Sequence, residues 1–364
     1  MNNIYRFIFA GGGTGGHLYP ALAVAQKILE LKPEADILFV GTKDKIEARV
    51  VPEYGFNYKS ILISGFSRKF NLSNLLFPFK LLTGLIQSLI IAMKFKPRVT
   101  VGTGAYVSGP VVWAASVMGS KIVLLEQNSF PGITNRLLEK KANEIHLTYE
   151  ESKKYFRDKE KLFITGNPVR IDLKLIDKNE ALKKFGLSAS KKTLLVLGGS
   201  LGAKSINDII AEIADELIKN NIQILWQTGS SYYDDYKSYE KEGIKVMPFI
   251  KDMQAAYSAC DLVLARAGAT TIAEVSSLGL PVIFVPSTNV AANHQFMNAK
   301  VLSDKKAAIL IEDKNLQNEL LKKIIEIIND EEQLKTLKKN ISEFSKSDAV
   351  KIVAERVIKL AETF

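Results

Sequence analysis

The chain has 364 residues, 47% of them hydrophobic and 24% charged, which is the balance of a globular protein with room for two domains and excludes a disordered or fibrous one. Its 49 Lys plus Arg against 39 Asp plus Glu give a net charge of +10, so an anionic partner is favoured. One cysteine, Cys260, excludes an intrachain disulfide framework and suits a reducing compartment.

The N-terminus reads Met-Asn-Asn-Ile-Tyr-Arg and runs straight into a strand, so no secretory signal is expected and a cytoplasmic location is. That strand, residues 4–10, leads into Gly11-Gly12-Gly13-Thr14-Gly15-Gly16-His17 and then a helical pattern. Glycines between a strand and a helix let the backbone approach an anion, and the amides of the helix start face it. Gly11, Gly13 and Gly16 also fit the dinucleotide fingerprint, so an oxidoreductase has to be weighed. The second strand, 37–40, runs into Gly41-Thr42-Lys43 without the carboxylate that a ribose would need there.

Strand patterns follow at 59–63, 99–101, 122–125, 144–147 and 162–164, alternating with helices, which predicts a parallel sheet covered on both faces. Between the third and fourth lies an apolar stretch, 66–97, punctuated by Arg68, Lys69, Lys80, Lys94 and Lys96 and broken by Pro78. It is a poor bilayer span. Its later part, 81–93, reads as a core helix with a solvated basic rim, whereas Phe66, Phe70, Phe77, Phe79 and Lys80 read as contacts with an anionic membrane surface. Gly102-Thr103-Gly104-Ala105-Tyr106 forms a second glycine turn on the same sheet edge, and Glu126-Gln127-Asn128 opens a carboxamide loop able to read sugar hydroxyls or an acetamido group. Turn and cap chemistry would account equally well for that loop. His146, at a strand end, reads as structural.

Gly166-Asn167-Pro168 marks a boundary, giving one domain over 1–166 and another over 167–344, with a last helix (345–364) packing back on the first. The second half repeats the logic. A strand at 193–197 enters Gly198-Gly199-Ser200-Leu201-Gly202, and strands follow at 222–227, 245–249, 262–265, 282–285 and 308–311. Glu274, in a helix after Gly268, is either a ribose ligand or a surface residue. No zinc spacing, RNP-type aromatic motif or basic recognition helix stands out, so no nucleic acid partner is expected.

GGGTGGHLYPALAVA, GTGAYVSGP, EQNSFPGITNR, TGNPVR, GGSLGA, ARAGATTIAE and HQFMNA occur in the order and approximate spacing of the MurG family, which this chain resembles from about residue 7 to 299. The resemblance implies a GT-B fold, two Rossmann-like doubly wound α/β domains with the active site in the cleft between them. It implies inverting transfer of GlcNAc from UDP-GlcNAc to the MurNAc 4-hydroxyl of lipid I, giving lipid II. On the same ground Thr14, Gly15, Gly16 and Asn128 reach the donor sugar, while Arg170, Ser200, Ile250, Ala269, Glu274 and Gln295 hold UDP, with Glu274 on the ribose and the Ile250 backbone on the uracil. Gly13, Gly104, Ala105 and Tyr106 face the acceptor pyrophosphate, and His17 is the candidate base. Ala105 departs from the family, which usually has glycine there. The implied partners are UDP-GlcNAc, lipid I and the inner leaflet, with cell-wall synthesis proteins as candidates. The implied location is peripheral, on the cytoplasmic face of the membrane.

No Asp-x-Asp pair occurs in the chain, and neither a cofactor nor a metal is expected. Rival readings of the same fold are a UDP-GlcNAc 2-epimerase, which would need acid/base groups around the sugar, and a diacylglycerol glycosyltransferase, whose acceptor would leave two glycine loops idle.

Overall fold

The computed structural model describes residues 4–65, 77–169, 173–199, 201–288, 293–346 and 348–363. They form two compact units, Met1–Ile171 with Lys346–Phe364, and Asp172–Ser345. Phe66, Phe70, Arg170 and Ser200, all singled out from the sequence, lie outside the described residues.

The first unit runs β1 (Arg6–Ala10), α1 (Gly15–Leu31), β2 (Asp36–Gly41), α2 (Ile46–Glu53), β3 (Asn57–Ser60), α3 (Phe77–Phe95), β4 (Val99–Gly102), α4 (Ala105–Val117), β5 (Lys121–Glu126), α5 (Ile133–Leu138), β6 (Glu144–Leu147) and β7 (Leu162–Ile164). The second runs α6 (Lys178–Phe185), β8 (Lys192–Leu197), α7 (Lys204–Lys219), β9 (Ile222–Gln227), α8 (Tyr233–Tyr236), β10 (Ile244–Met247), α9 (Met253–Ala259), β11 (Leu262–Ala265), α10 (Ala269–Leu278), β12 (Val282–Phe284), α11 (His294–Asp304), β13 (Ile309–Leu310), α12 (Leu316–Asn329) and α13 (Glu331–Ser342). The chain then returns to the first unit as α14 (Ala349–Glu362).

Every described strand pairing within the two sheets is parallel, in the orders β3-β2-β1-β4-β5-β6-β7 and β10-β9-β8-β11-β12-β13. Parallel strands are buried on both faces, and Phe7, Ile8, Phe9 and Ala10 accordingly have almost no exposed surface. In both sheets the order reverses beside the first strand of the unit, between β1 and β4 and between β8 and β11. Loops at the carboxyl ends of those strands flank the crevice where such sheets take ligands.

The predicted strand at 59–63 instead pairs as Asn57 to Ser60 along β2. As an edge strand it is mostly exposed, so hydropathy did not mark it, and the buried Ile61 lies just past the last rung.

The reading of 81–93 as a core helix is overturned. On α3 only Gly84, Ser88 and Ala92 are buried, one helical turn apart, where the helix lies on α4. A Cβ at Gly84 would come within 3.1 Å of the Leu62 carbonyl, so the small stripe is what lets the helix seat closely. One row of large side chains faces outward: Phe79 is 68% exposed, Leu82 58% and Ile86 49%, and Ile90 and Met93 continue it, while Ile91 and Phe95 pack partly buried against the core.

Helix α14 packs on α1 and is clamped at its middle and at its C-terminal end. Arg356 donates to both oxygens of Glu144, at 2.8 and 2.7 Å, and lies over the Phe163 ring at 3.6 Å. Tyr5 donates to Glu362 at 2.7 Å while Lys32 donates to the Tyr5 hydroxyl. His146, stacked on Phe163 and bonded to Glu144, belongs to this clamp, and its role is structural.

Candidate active site

At the switch point of the first sheet, the loop after β1 meets the loop after β4. A Cβ on Gly11 would lie 1.8 Å from Thr103 Oγ1, so only glycine permits that approach. His17 sits in the first turn of α1, and its Nδ1 is 2.7 Å from the Thr103 carbonyl and 3.2 Å from Gln127 Oε1. Both partners are acceptors, so Nδ1 carries the proton and Nε2 keeps its lone pair. Burial pushes the imidazole pKa down, although part of the ring's surface stays open, and the ring is therefore neutral near pH 7. A neutral, orientated imidazole with a free Nε2 can accept a proton from a hydroxyl.

Gly104, at φ +94°, would put a Cβ 3.1 Å from His17 Cε1, so this glycine makes room for the imidazole. Ala105 also takes a left-handed conformation, at φ +60°. The family's usual glycine would sit there without strain, and the methyl group costs about 1 kcal/mol. Tyr106 lies over the first loop, its ring within 4.0 Å of where a Gly13 Cβ would be. The Gly13 amide, expected to face a pyrophosphate, instead donates to Glu47 at 2.8 Å. Thr14 and Gly15 stand at the start of α1, where helix amides lack intrahelical acceptors.

The carboxamide loop is organised by Glu126, buried at the end of β5. It accepts from the backbone of Asn128 (3.0 Å) and Gly132 (3.0 Å) and from the Asn135 side chain (2.8 Å). The Asn128 side chain also reaches Glu126, at 3.3 Å, so its placement is set from within the loop.

In the second unit, Gly199 and Gly202 have φ of +84° and +89°. A Cβ on Gly202 would fall 2.1 Å from the Thr228 carbonyl, which excludes any larger residue. Gln227 ties this loop to residue 250, donating to the Gly199 carbonyl at 3.0 Å and accepting the Ile250 amide at 2.8 Å. Glu274 is buried rather than on the surface, and its Oε2 accepts from the Tyr257 hydroxyl at 2.8 Å. Ala269 is the first residue of α10 and is buried. Gln295 Oε1 accepts the Ser287 amide at 2.8 Å, leaving its Nε2 as the donating end. Arg266 joins the loops of this sheet edge, bonding Ser205, Asp313 and the Val285 and Pro286 carbonyls.

Sequence reasoning missed Glu47, Tyr257, Gln227 and the Thr103–Gln127 pair that holds His17. No local motif marks them, since each acts through a partner distant in the chain.

Comparison with known proteins agrees with this geometry. The glycosyltransferase family 28 N-terminal domain matches residues 7–147, and the family 28 C-terminal domain matches residues 193–353. The UDP-N-acetylglucosamine--N-acetylmuramyl-(pentapeptide) pyrophosphoryl-undecaprenol N-acetylglucosamine transferase of Flavobacterium psychrophilum is 46% identical over 362 residues, covering 99% of this chain and 98% of that protein. Its counterpart in Christiangramia forsetii is 42% identical, covering 99% of both chains. The crystal structure of Acinetobacter baumannii MurG superposes with a TM-score of 0.74 at 25% identity, over 97% of this chain and 99% of that one. The chain has the GT-B fold and belongs to glycosyltransferase family 28, and within it to the MurG N-acetylglucosamine transferases.

Proposed function

We propose that the chain transfers GlcNAc from UDP-GlcNAc to the MurNAc 4-hydroxyl of lipid I with inversion, forming lipid II for peptidoglycan. The observation that carries the chemistry is the neutral His17, its Nδ1 proton held by Thr103 and its Nε2 available at the switch point of the first sheet. His17 Nε2 takes the hydroxyl proton as the acceptor oxygen bonds to the anomeric carbon, and the bond from that carbon to the UDP oxygen breaks. Negative charge then grows on the departing diphosphate, where amides and cations are most effective. The glycine loop after β8 and the start of α7 supply amides there. Arg170 and Ser200 are assigned to it on the family resemblance. Glu274, orientated by Tyr257, receives the ribose hydroxyls. With its amide held by Gln227, Ile250 offers its carbonyl to the uracil N–H. Thr14, Gly15, Gly16 and Asn128 face the donor sugar, and Gly104, Ala105 and Tyr106 line the acceptor pyrophosphate.

The exposed row on α3, flanked by Lys80, Lys94 and Lys96, supports peripheral docking on the anionic cytoplasmic leaflet. Helix α3 is apolar and long enough to cross a bilayer. Its small-residue face is seated on α4, however, which leaves the outer face for lipid. Cell-wall synthesis proteins remain candidate partners.

The test is transfer of labelled GlcNAc to a short-chain lipid I analogue, with diacylglycerol as competitor. Label on the analogue alone is expected. An epimerised nucleotide sugar, or label on diacylglycerol, would overturn the acceptor assignment.

A further inference from the structure

Glu47 is a carboxylate with 1% of its surface exposed, and it lies beside the first glycine loop, on α2. No cation neutralises it among the described residues; three hydrogen-bond donors do so instead. Its Oε1 accepts from the Thr42 amide (3.0 Å) and the Thr42 hydroxyl (2.7 Å), and its Oε2 accepts from the Gly13 amide (2.8 Å). Two glycines make space for it. A Cβ on Gly12 would lie 2.3 Å from the carboxyl carbon, and one on Gly41 would lie 2.5 Å from Cγ. The Tyr58 hydroxyl donates to the Thr42 carbonyl at 2.6 Å, and the Tyr106 ring lies within 4.0 Å of where a Gly13 Cβ would be.

We propose that Glu47 is a positioning residue for the acceptor, a buried internal anion that fixes the Gly13 loop beneath Tyr106. This rests on the acceptor reading given above and goes beyond it. By occupying the Gly13 amide, Glu47 sets the curvature of the loop under the Tyr106 ring, which lines the acceptor pyrophosphate. Thr42 holds the carboxylate in that place through its amide and hydroxyl. A buried, fully satisfied carboxylate defines one arrangement of its donors, and losing a single acceptor position leaves a donor unpaired.

The experiment compares Glu47→Gln and Thr42→Val with the native full-length chain. A glutamine offers one acceptor oxygen where the carboxylate offers two, so either the Gly13 or the Thr42 donors face an NH2 group. KM for the lipid I analogue, KM for UDP-GlcNAc, kcat and calorimetric binding of UDP are measured. For Glu47→Gln the acceptor KM should rise about tenfold to a hundredfold, the effect of one lost bond to a charged group. UDP affinity should stay within about twofold. Thr42→Val should give a smaller rise of the same pattern. An unchanged acceptor KM in a folded Glu47→Gln protein overturns the proposal. So does an equal loss on the donor and acceptor sides, which is what a merely structural role would give. If Glu47→Gln does not fold, Thr42→Val is judged by the same criteria. A native chain that transfers nothing to lipid I would instead sink the activity reading and leave the loop geometry standing.

Discussion

Replacing Phe79, Leu82 and Ile86 together by serine should detach the protein from anionic vesicles without unfolding it. These side chains are 68%, 58% and 49% exposed, so about half of their surface is open to lipid and the rest packs on the fold. Full burial of such a side chain is worth about 1.5–3 kcal/mol, and the exposed fraction recoverable in lipid is about half of that. Each therefore contributes about 1 kcal/mol to docking, and the three together about 3 kcal/mol, or about two orders of magnitude in partition coefficient. The assay is co-sedimentation with vesicles containing anionic lipid, beside thermal unfolding and turnover of a water-soluble acceptor. Binding should fall about a hundredfold with soluble turnover nearly unchanged, while the melting temperature drops by several degrees because the packed part of the three side chains is worth about 2–3 kcal/mol. Undiminished sedimentation would refute the assignment of this face to lipid. A larger drop in melting temperature would mean that these side chains are packed in solution.

The neutral His17 predicts a pH profile. Its pKa lies below the ordinary 6.5 because burial disfavours the charged form, so the base stays competent as pH falls past 6.5 and the acid limb of kcat lies below that value. A limb above 6.5 would exclude His17 as the base, and His17→Ala should cost about 10²–10⁴ in kcat. Tyr257→Phe removes the donor that orientates Glu274 and should weaken UDP-GlcNAc binding about tenfold in a calorimetric titration, with Glu274→Ala weakening it more. Unchanged donor affinity in both would remove the ribose assignment. Ala105→Gly relieves a left-handed alanine and should raise stability by no more than about 0.5 kcal/mol in urea unfolding once glycine's entropy is subtracted. A lower midpoint would show that the methyl group makes contacts outweighing the strain.

The sequence by itself determined the repeating strand–loop–helix order and the loops that carry chemistry. Continuous apolar runs such as Phe7 to Ala10 have a local signature in a doubly covered sheet, and glycines at 13, 104, 199 and 202 stand where the backbone takes positive φ. The family resemblance then brought His17 and Glu274 forward as candidates before any contact was known. What only the tertiary structure decided depends on pairs far apart in the chain. The proton on His17 is placed by Thr103 and Gln127, more than 80 residues away, and Glu274 is buried against Tyr257, on another helix. Helix α3 shows the limit most clearly. Its composition reads as core, yet its fully buried stripe is Gly84, Ser88 and Ala92, with the Leu62 carbonyl close against Gly84, and a row of its large side chains from Phe79 to Met93 is turned outward. Hydropathy reports how apolar a helix is, whereas steric fit decides which of its faces is buried.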